Sequence, residues 1–293
     1  MQQHGGFQGI RSLSGRLPDH VSRGCQAWFR DVRPRRGERV TLVAMRHGSA
    51  EEVLSWTYKR FRRVALVASF QAESMVLIDM ACGIVPEPEV LTLDTGRLHE
   101  ETHDFIEQVR RRYPIRLRIL APDFEELEAM TGEHGTMQFR RSVALRNECC
   151  AVRKVNPLAR ALHDYDAWIT GLRREQTPTR AETPVVAADP GHGGTTKVVP
   201  LAGWSRAQVW DYLAARGIDH HPLYDRGFTS IGCAPCTRAT HSGENERAGR
   251  WWWEGGSDKE CLLHPPLESG AQASLRGSRV SVPPESGRST LRT

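Results

Sequence analysis

Residues 63–85 read RVALVASFQAESMVLIDMACGIV, and this stretch decides the fold. RVALVAS (63–69) is a short apolar run rich in Val and Ala, bounded by polar residues, and reads as a buried strand. SFQAES (69–74) is a polar loop, and MVLIDMACGIV (75–85) is an apolar segment of helical length. A buried strand passing through a polar turn into an apolar helix is half of a βαβ unit.

The same rhythm continues on either side. Upstream, SAEEVLSWTYKRF (49–61) opens with a capping box, Ser49 to Glu52, and predicts a helix. Downstream, PEVLTLDTG (88–96) reads as a second strand, HEETHDFIEQVRRRY (99–113) as an amphipathic helix and IRLRIL (115–120) as a third strand. DFEELEAM (123–130) returns to helix, and YDAWITGLRR (165–174) supplies a further strand and loop. The pattern predicts an α/β fold, a parallel sheet with helices on both faces. Ligands in such sheets sit beyond the carboxyl ends of the strands. Here those ends carry SFQAES, LDTGRL and GLRREQ.

At 293 residues and 39% hydrophobic, the chain is long enough for one large domain or two small ones. No run approaches the roughly 18–20 consecutive apolar residues of a membrane helix, so no membrane partner is expected. The net charge of +5 suggests nucleic acid, but its distribution argues otherwise. Residues 1–39 carry a net +5 and residues 265–293 a net +2, which leaves the body, 40–264, at −2. Residues 1–45 are expected to be a disordered extension, with Met45 a plausible start, and 265–293 a disordered tail rich in Ser, Gly, Pro and Arg. The functional domain is then 46–264. With no secretory apolar stretch at the N-terminus, the seven cysteines are expected in a reducing cytoplasm, where metal and redox roles outweigh disulfides.

The loops offer anion contacts. Ser69, Phe70, Gln71, Ala72, Glu73 and Ser74 precede a helix N-terminus, whose N–H groups and dipole suit an anion. Leu93, Asp94, Thr95 and Gly96 can hold a ribose or phosphate, or cap their turn. Gly171, Arg173, Arg174 and Arg180 lie in one loop, WITGLRREQTPTR (168–180), and arginine forks suit phosphate or sulfate oxygens.

The cysteines form two pairs. NECCAVRKV (147–155) sets Cys149 beside Cys150, with Arg153 and Lys154 following, and GCAPCTRA (232–239) spaces Cys233 and Cys236 as C-x-x-C. Adjacent cysteines fit a zinc knuckle poorly but can serve a four-iron cluster, whose negative charge the nearby cations offset. Cys261 lies apart, in DKECLLHPP (258–266), with Glu260 before it and His264 after it. A thiol meant to act as a nucleophile and then meet a partner would be placed so, with Arg247 and Arg250 of GENERAGRWWWE (243–254) lowering its pKa. Cys25 and Cys82 lack such company and read as structural.

Taken together, SFQAES, LDTGRLHEET, ECCAVRKVNPL, WITGLRREQTPTR, HPLYDRGFTSIGCAPCTRA, GENERAGRWWWE and KECLLH occur in an order that resembles a known family. It is that of the thioredoxin-dependent, iron–sulfur adenylylsulfate (APS) reductases, relatives of the 3′-phosphoadenylylsulfate (PAPS) reductases and of the PP-loop ATP pyrophosphatases. The resemblance spans about Ser49 to His264. It implies an adenine-nucleotide α-hydrolase-like fold and one [4Fe–4S] cluster on Cys149, Cys150, Cys233 and Cys236. It also implies attack by Cys261 on the sulfur of APS, giving an S-sulfonocysteine and AMP. Thioredoxin, or a glutaredoxin-like donor, then releases sulfite. By the same resemblance Ser69–Ser74, the Leu93–Gly96 turn, Gly171, Arg173 and Arg174 hold the nucleotide, and Lys154, Arg247 and Arg250 the phosphosulfate. His264 closes the site on a mobile segment, 242–264. A homo-oligomer is compatible with this reading.

The chain departs from the family pattern in three places. Leu262 stands where the family has glycine after the nucleophile, Gln71 replaces a frequent glycine in the first loop, and the tail past His264 is long. A glycine needed for positive φ would make Leu262 costly. The alternatives are a PAPS reductase, a PP-loop adenylating enzyme and a non-enzymatic zinc-binding module.

Overall fold

The structure is a computed structural model describing residues 48–255 and 259–264; the expected extension at 1–45, the tail at 265–293 and Cys25 lie outside the described residues. Six strands form one sheet in the order β3-β2-β1-β4-β6-β5. β1 (Val64–Val67), β2 (Glu89–Leu93), β3 (Arg116–Leu120), β4 (Ala167–Thr170) and β6 (Thr195–Val198) are mutually parallel in their pairings. β5 (Val186–Asp189) runs antiparallel to β6 at the edge, so the sheet is the expected parallel one with a single antiparallel edge strand. The physical reason is chain length: five residues separate β5 from β6, too few for a parallel crossover.

Because side chains alternate along a strand, the continuous apolar run of β1 supplies two cores. Val64 and Leu66 face a large cluster packed by α1 (Ala50–Arg60), α2 (Ala72–Ile84), α3 (Glu100–Arg112) and α7 (Arg206–Arg216). Ala65 and Val67 face a smaller one with Trp168 and with Leu158, Ala161 and Leu162 of α6 (Asn156–Leu162). Helices therefore cover both faces. The capping box read at Ser49 and Glu52 is present in both directions, at 3.2 and 2.7 Å. β3 lies at the other edge, with Arg116, Arg118 and Ile119 exposed.

A third cluster lies outside the sheet. α4 (Phe124–His134) and α5 (Val143–Cys150) contribute Met130, Cys149 and Cys150, and Cys233, Cys236 and Trp251 complete it. Five residues of π-helix, Ala151–Val155, join α5 to α6 without a break in the rod. Such turns recur at functional sites because they re-aim the side chains that follow. Here they carry Arg153 and Lys154.

Candidate active site

The carboxyl ends of the strands open onto a cavity of about 180 Å³. Ser69, Gln71, Glu73 and Ser74 line it from the first loop, whereas Phe70 and Ala72 are buried in the core. Phe70 takes the left-handed backbone turn, φ 55°, and Gln71 an ordinary φ of −79°, so the position where the family often has glycine tolerates a side chain. The Ala72 N–H at the start of α2 is taken by the Tyr224 hydroxyl at 3.2 Å. Gln71 uses both ends of its amide: Nε2 donates to Ser69 Oγ at 3.0 Å, and Oε1 accepts from the Ile231 N–H at 2.7 Å. It thereby ties the first loop to the segment that carries Cys233.

From the second loop Leu93 and Thr95 reach the cavity. Asp94 caps its own turn, accepting from the Gly96 N–H at 2.8 Å, so Asp94 and Gly96 shape the loop rather than line the cavity. In the third loop Gly171 is required by close packing, since a Cβ there would stand 2.8 Å from that of Glu73. Arg173 and Arg174 do not line the cavity. Arg173 is 1% exposed and donates from Nε to Glu73 at 2.7 Å and from Nη2 to both carboxylate oxygens of Glu246 at 2.8 Å. Arg174 donates to the Thr183 carbonyl at 2.9 Å. Both therefore brace the wall instead of presenting a fork to an anion.

The cations that do line the cavity are Lys154, Arg180, Arg247 and Arg250. The Nε–H groups of Arg247 and Arg250 are buried with no acceptor among the described residues. Burial, with Arg180 and Arg250 nearby, pushes the Arg247 guanidinium down from its ordinary range. Crowded guanidinium groups with idle donors make a site for an anion. Gly232 admits Arg250, because any Cβ there would overlap that guanidinium.

On the far side of Lys154, Cys149, Cys150, Cys233 and Cys236 line a single void of about 10 Å³. Arg97, Arg146, Arg153, Lys154 and Arg250 also line it, and Phe139 and Trp251 close it. No carboxylate contributes to this lining. Trp251 Nε1–H and Arg153 Nε–H are buried without acceptors among the described residues. Thr95 Oγ1 lies 3.3 Å from Cys233 Sγ. Burial alone raises the Cys233 thiol, but Lys154, the Thr95 hydroxyl and Arg250 outweigh it and hold it below the ordinary range. Among the described residues no three His, Cys, Asp or Glu side chains stand close enough to share one metal ion. Four sulfurs around one void, excess positive charge and idle N–H donors fit an anionic cluster with one thiolate on each iron better than a single ion.

Cys261 packs against this sulfur group and also lines the cavity. Its thiol is held well below the ordinary range by a hydrogen bond with Cys150 and by the charges of Lys154 and Arg250. Its neighbours fix its position. Arg180 makes a two-pronged contact to Glu260, and Arg146 donates to the Glu260 carbonyl at 2.8 Å while pairing with Glu254 at 2.7 Å. His264 stacks on Trp168, with centroids 5.8 Å apart and planes 10° from parallel. Leu262 is exposed and its φ is not positive, so the departure from glycine imposes no strain. Arg146, Gln176, Trp168 and Glu246 were not singled out from sequence. They act through residues distant in the chain, as Arg146 does with Glu254, 108 residues away, and no local sequence pattern marks such pairs.

A mostly parallel α/β sheet with a cavity at its strand ends is the frame of the PP-loop-like nucleotide-binding folds. The phosphoadenosine phosphosulfate reductase domain model matches residues 63–239, and the chain belongs to that family. It is 43% identical over 227 residues to the adenosine 5′-phosphosulfate reductase of Burkholderia cepacia, covering 76% of this chain and 90% of the relative. The enzyme of the same name from Rhizobium meliloti (strain 1021) is 48% identical over 178 residues, covering 61% of this chain and 67% of the relative. Among solved structures, the PAPS reductase from Candida auris in complex with phosphate superimposes with a TM-score of 0.56 at 27% identity, covering 67% of this chain and 91% of that one. No helix of the described residues is long and apolar enough to cross a membrane.

Proposed function

We propose that this protein reduces adenylylsulfate to sulfite and AMP in sulfate assimilation, with Cys261 as nucleophile. The observation that carries the reading is Lys154, which lines both the nucleotide cavity and the four-cysteine void, beside Cys261. Burial disfavours its charge, but the sulfurs of Cys233, Cys261 and Cys150 keep it protonated. The relatives named for adenosine 5′-phosphosulfate support the choice of substrate.

The Cys261 thiolate attacks the sulfonate sulfur; an S–S bond forms, the S–O bond breaks, and its electron pair leaves on the AMP phosphate. Arg247, Arg250 and Lys154 stabilise the anionic oxygens during this in-line transfer. A dithiol donor of the thioredoxin class then attacks Cys261 Sγ. Sulfite departs with the S–S electron pair, and the donor's second thiol resolves the mixed disulfide, restoring Cys261. Cys261 must therefore be reached by the donor as well as by the substrate. Cys149, Cys150, Cys233 and Cys236 would hold a [4Fe–4S] group, which supplies a fixed charge beside the reacting sulfonate. The reducing conditions that free thiols require favour a cytoplasmic setting.

The test is an intact-mass spectrum of anaerobically purified protein mixed with APS alone. A single sulfonate adduct is expected, absent in Cys261→Ser and removed by thioredoxin. An adduct with PAPS and none with APS would overturn the substrate assignment.

A further inference from the structure

A second, smaller cavity lies behind His264. β4, β6 and β5 place Trp168, Lys197 and Ala187 in one cross-strand row. Trp168 is large and Ala187 is small, and next to Ala187 a space of about 70 Å³ remains. Its lining includes Lys197, Ala187, Thr183, Arg180, Glu182 and His264. Arg180 and His264 also line the larger cavity, so the two spaces share a wall.

Lys197 is the unusual member. It is 6% exposed, yet among the described residues no hydrogen-bond acceptor or ion-pair partner reaches its ammonium. Its closest organised contact is the face of Trp168, 5.2 Å from the ring centroid. Asp189 acts on it only through charge, since that carboxylate is occupied by His192 Nδ1 at 2.9 Å and by the Gly191 N–H at 3.1 Å. Arg180 is likewise committed to Glu260. A buried ammonium without an acceptor is costly, and proteins retain such groups where a ligand supplies the missing charge. His264 adds a second unfilled group, because its Nδ1 is buried and has no partner among the described residues. Burial lowers the proton affinity of Lys197 even though the charges of Asp189 and Glu260 act the other way, so neither carboxylate stands in for a direct acceptor.

We propose that this cavity is a binding site for a small oxyanion, anchored by the Lys197 ammonium and bounded by Arg180 and His264. Sulfite and inorganic sulfate or phosphate share the required chemistry: a compact, multiply charged cluster of acceptor oxygens. The assignment to sulfite rests on the reaction proposed above, which releases it at Cys261 across the shared wall; sulfate or phosphate binding does not rest on that reaction.

The test is calorimetric titration of the anaerobic holoprotein, saturated with AMP to fill the main cavity, with sulfite, sulfate and phosphate separately. Saturable binding of at least one anion is expected, weakened tenfold or more in Lys197→Met. Ala187→Leu, which fills the space and keeps the ammonium, is expected to weaken it equally. Sulfite alone binding identifies a product site, and all three binding identifies a general oxyanion site; either supports the proposal. No binding in the presence of AMP, or equal binding in both variants, overturns it. AMP titrated on its own reports separately on the nucleotide reading, so failure of one reading is not mistaken for failure of the other. Thermal midpoints of the variants check folding. Lys197→Met is expected to hold or raise the midpoint, because it removes a lone buried charge; a large drop would make Lys197 a structural residue and overturn its role here.

Discussion

Arg180 and Glu260 meet side-on, Nε to Oε1 and Nη2 to Oε2, both at 2.8 Å, with about 10% and 13% of their side chains exposed. The loop after β4 thus holds the residue immediately before Cys261. Thr177 and Thr179 add hydroxyl contacts to the same carboxylate at 3.1 Å. Glu260→Gln keeps the shape and removes the charge. The expected outcome is an S-sulfonation rate lower by about 10- to 100-fold, the scale on which small misplacements of a reacting group act. The thermal midpoint should fall as well, because Arg180 and Arg247 lose their counter-charge, so the rate is read at a temperature where both proteins are folded. Single-turnover mass spectrometry with APS measures the rate; a wild-type rate would show that the clamp does not position the nucleophile.

Arg173 contradicts its own appearance in the sequence. Paired with Arg174 in a ligand-side loop, it reads as an anion fork, but its acceptors lie 100 and 73 residues away, at Glu73 and Glu246. Arg173→Met leaves two largely buried carboxylates without their cation, Glu73 keeping only the Gln176 amide at 3.0 Å, and is expected to cost about 3–5 kcal/mol in global stability. Denaturant unfolding followed by circular dichroism checks this. A stable variant with a greatly raised KM for APS would return Arg173 to the nucleotide.

These cases mark what could be read from the chain alone. β1, the SFQAES loop and α2 were legible because hydrophobicity changes period abruptly within 23 residues, from a short buried strand to a helix. The β5–β6 hairpin was not, since two four-residue strands leave too short a pattern to read. The helical stretch holding Cys149 and Cys150 escaped for another reason. Its inward face is sulfur and guanidinium instead of an apolar stripe. The cavity cations Lys154, Arg247 and Arg250 were legible by residue type. The partners that fix them, such as Glu260 for Arg247 at 3.4 Å, depend on tertiary contact.

The sulfur void predicts metal content. Purified without air, the protein should carry about four irons and four acid-labile sulfides per chain. Serine at Cys149, Cys150, Cys233 or Cys236 should abolish or sharply reduce both, and Cys82→Ser should reduce neither. Cys82 lies on α2, where burial and Asp79 push its thiol up to about 11, away from the thiolate form that binds metal. Trp251→Phe, which removes the idle N–H, should retain iron but shift the visible absorption or reduction potential. Stoichiometric zinc without sulfide would replace the cluster assignment with a zinc site.

The low-lying Cys261 thiol predicts the pH dependence of the first step. The sign follows from which form reacts: the thiolate attacks, and with Cys150 given to the cluster its hydrogen bond is lost, so the charges of Lys154 and Arg250 are what keep the thiolate populated to lower pH. An ordinary cysteine would gain rate as pH rises through about 8.5. S-sulfonation in the wild type should instead be flat from about pH 6.5 to 9, falling only on the acid side. Lys154→Met removes one of the charges that favour the thiolate, so its profile should move toward higher pH, with the rate at neutral pH reduced most. A wild-type profile rising near 8.5 would show that the surroundings of Cys261 do not activate it.

Leu262 supplies the last expectation. It follows the nucleophile where the family resemblance calls for glycine, yet its backbone is outside the positive-φ region and 44% of the residue is exposed. Neither strain nor collision therefore opposes attack. Leu262→Gly adds backbone freedom that must be lost on seating, at about 0.5–1 kcal/mol. That corresponds to a rate about two- to fivefold slower if seating precedes attack. The test is single-turnover S-sulfonation with APS by both proteins at equal cluster occupancy. A glycine variant ten times faster than wild type would mean that the leucine obstructs the substrate, and that the seated position of Cys261 is not the one from which it attacks.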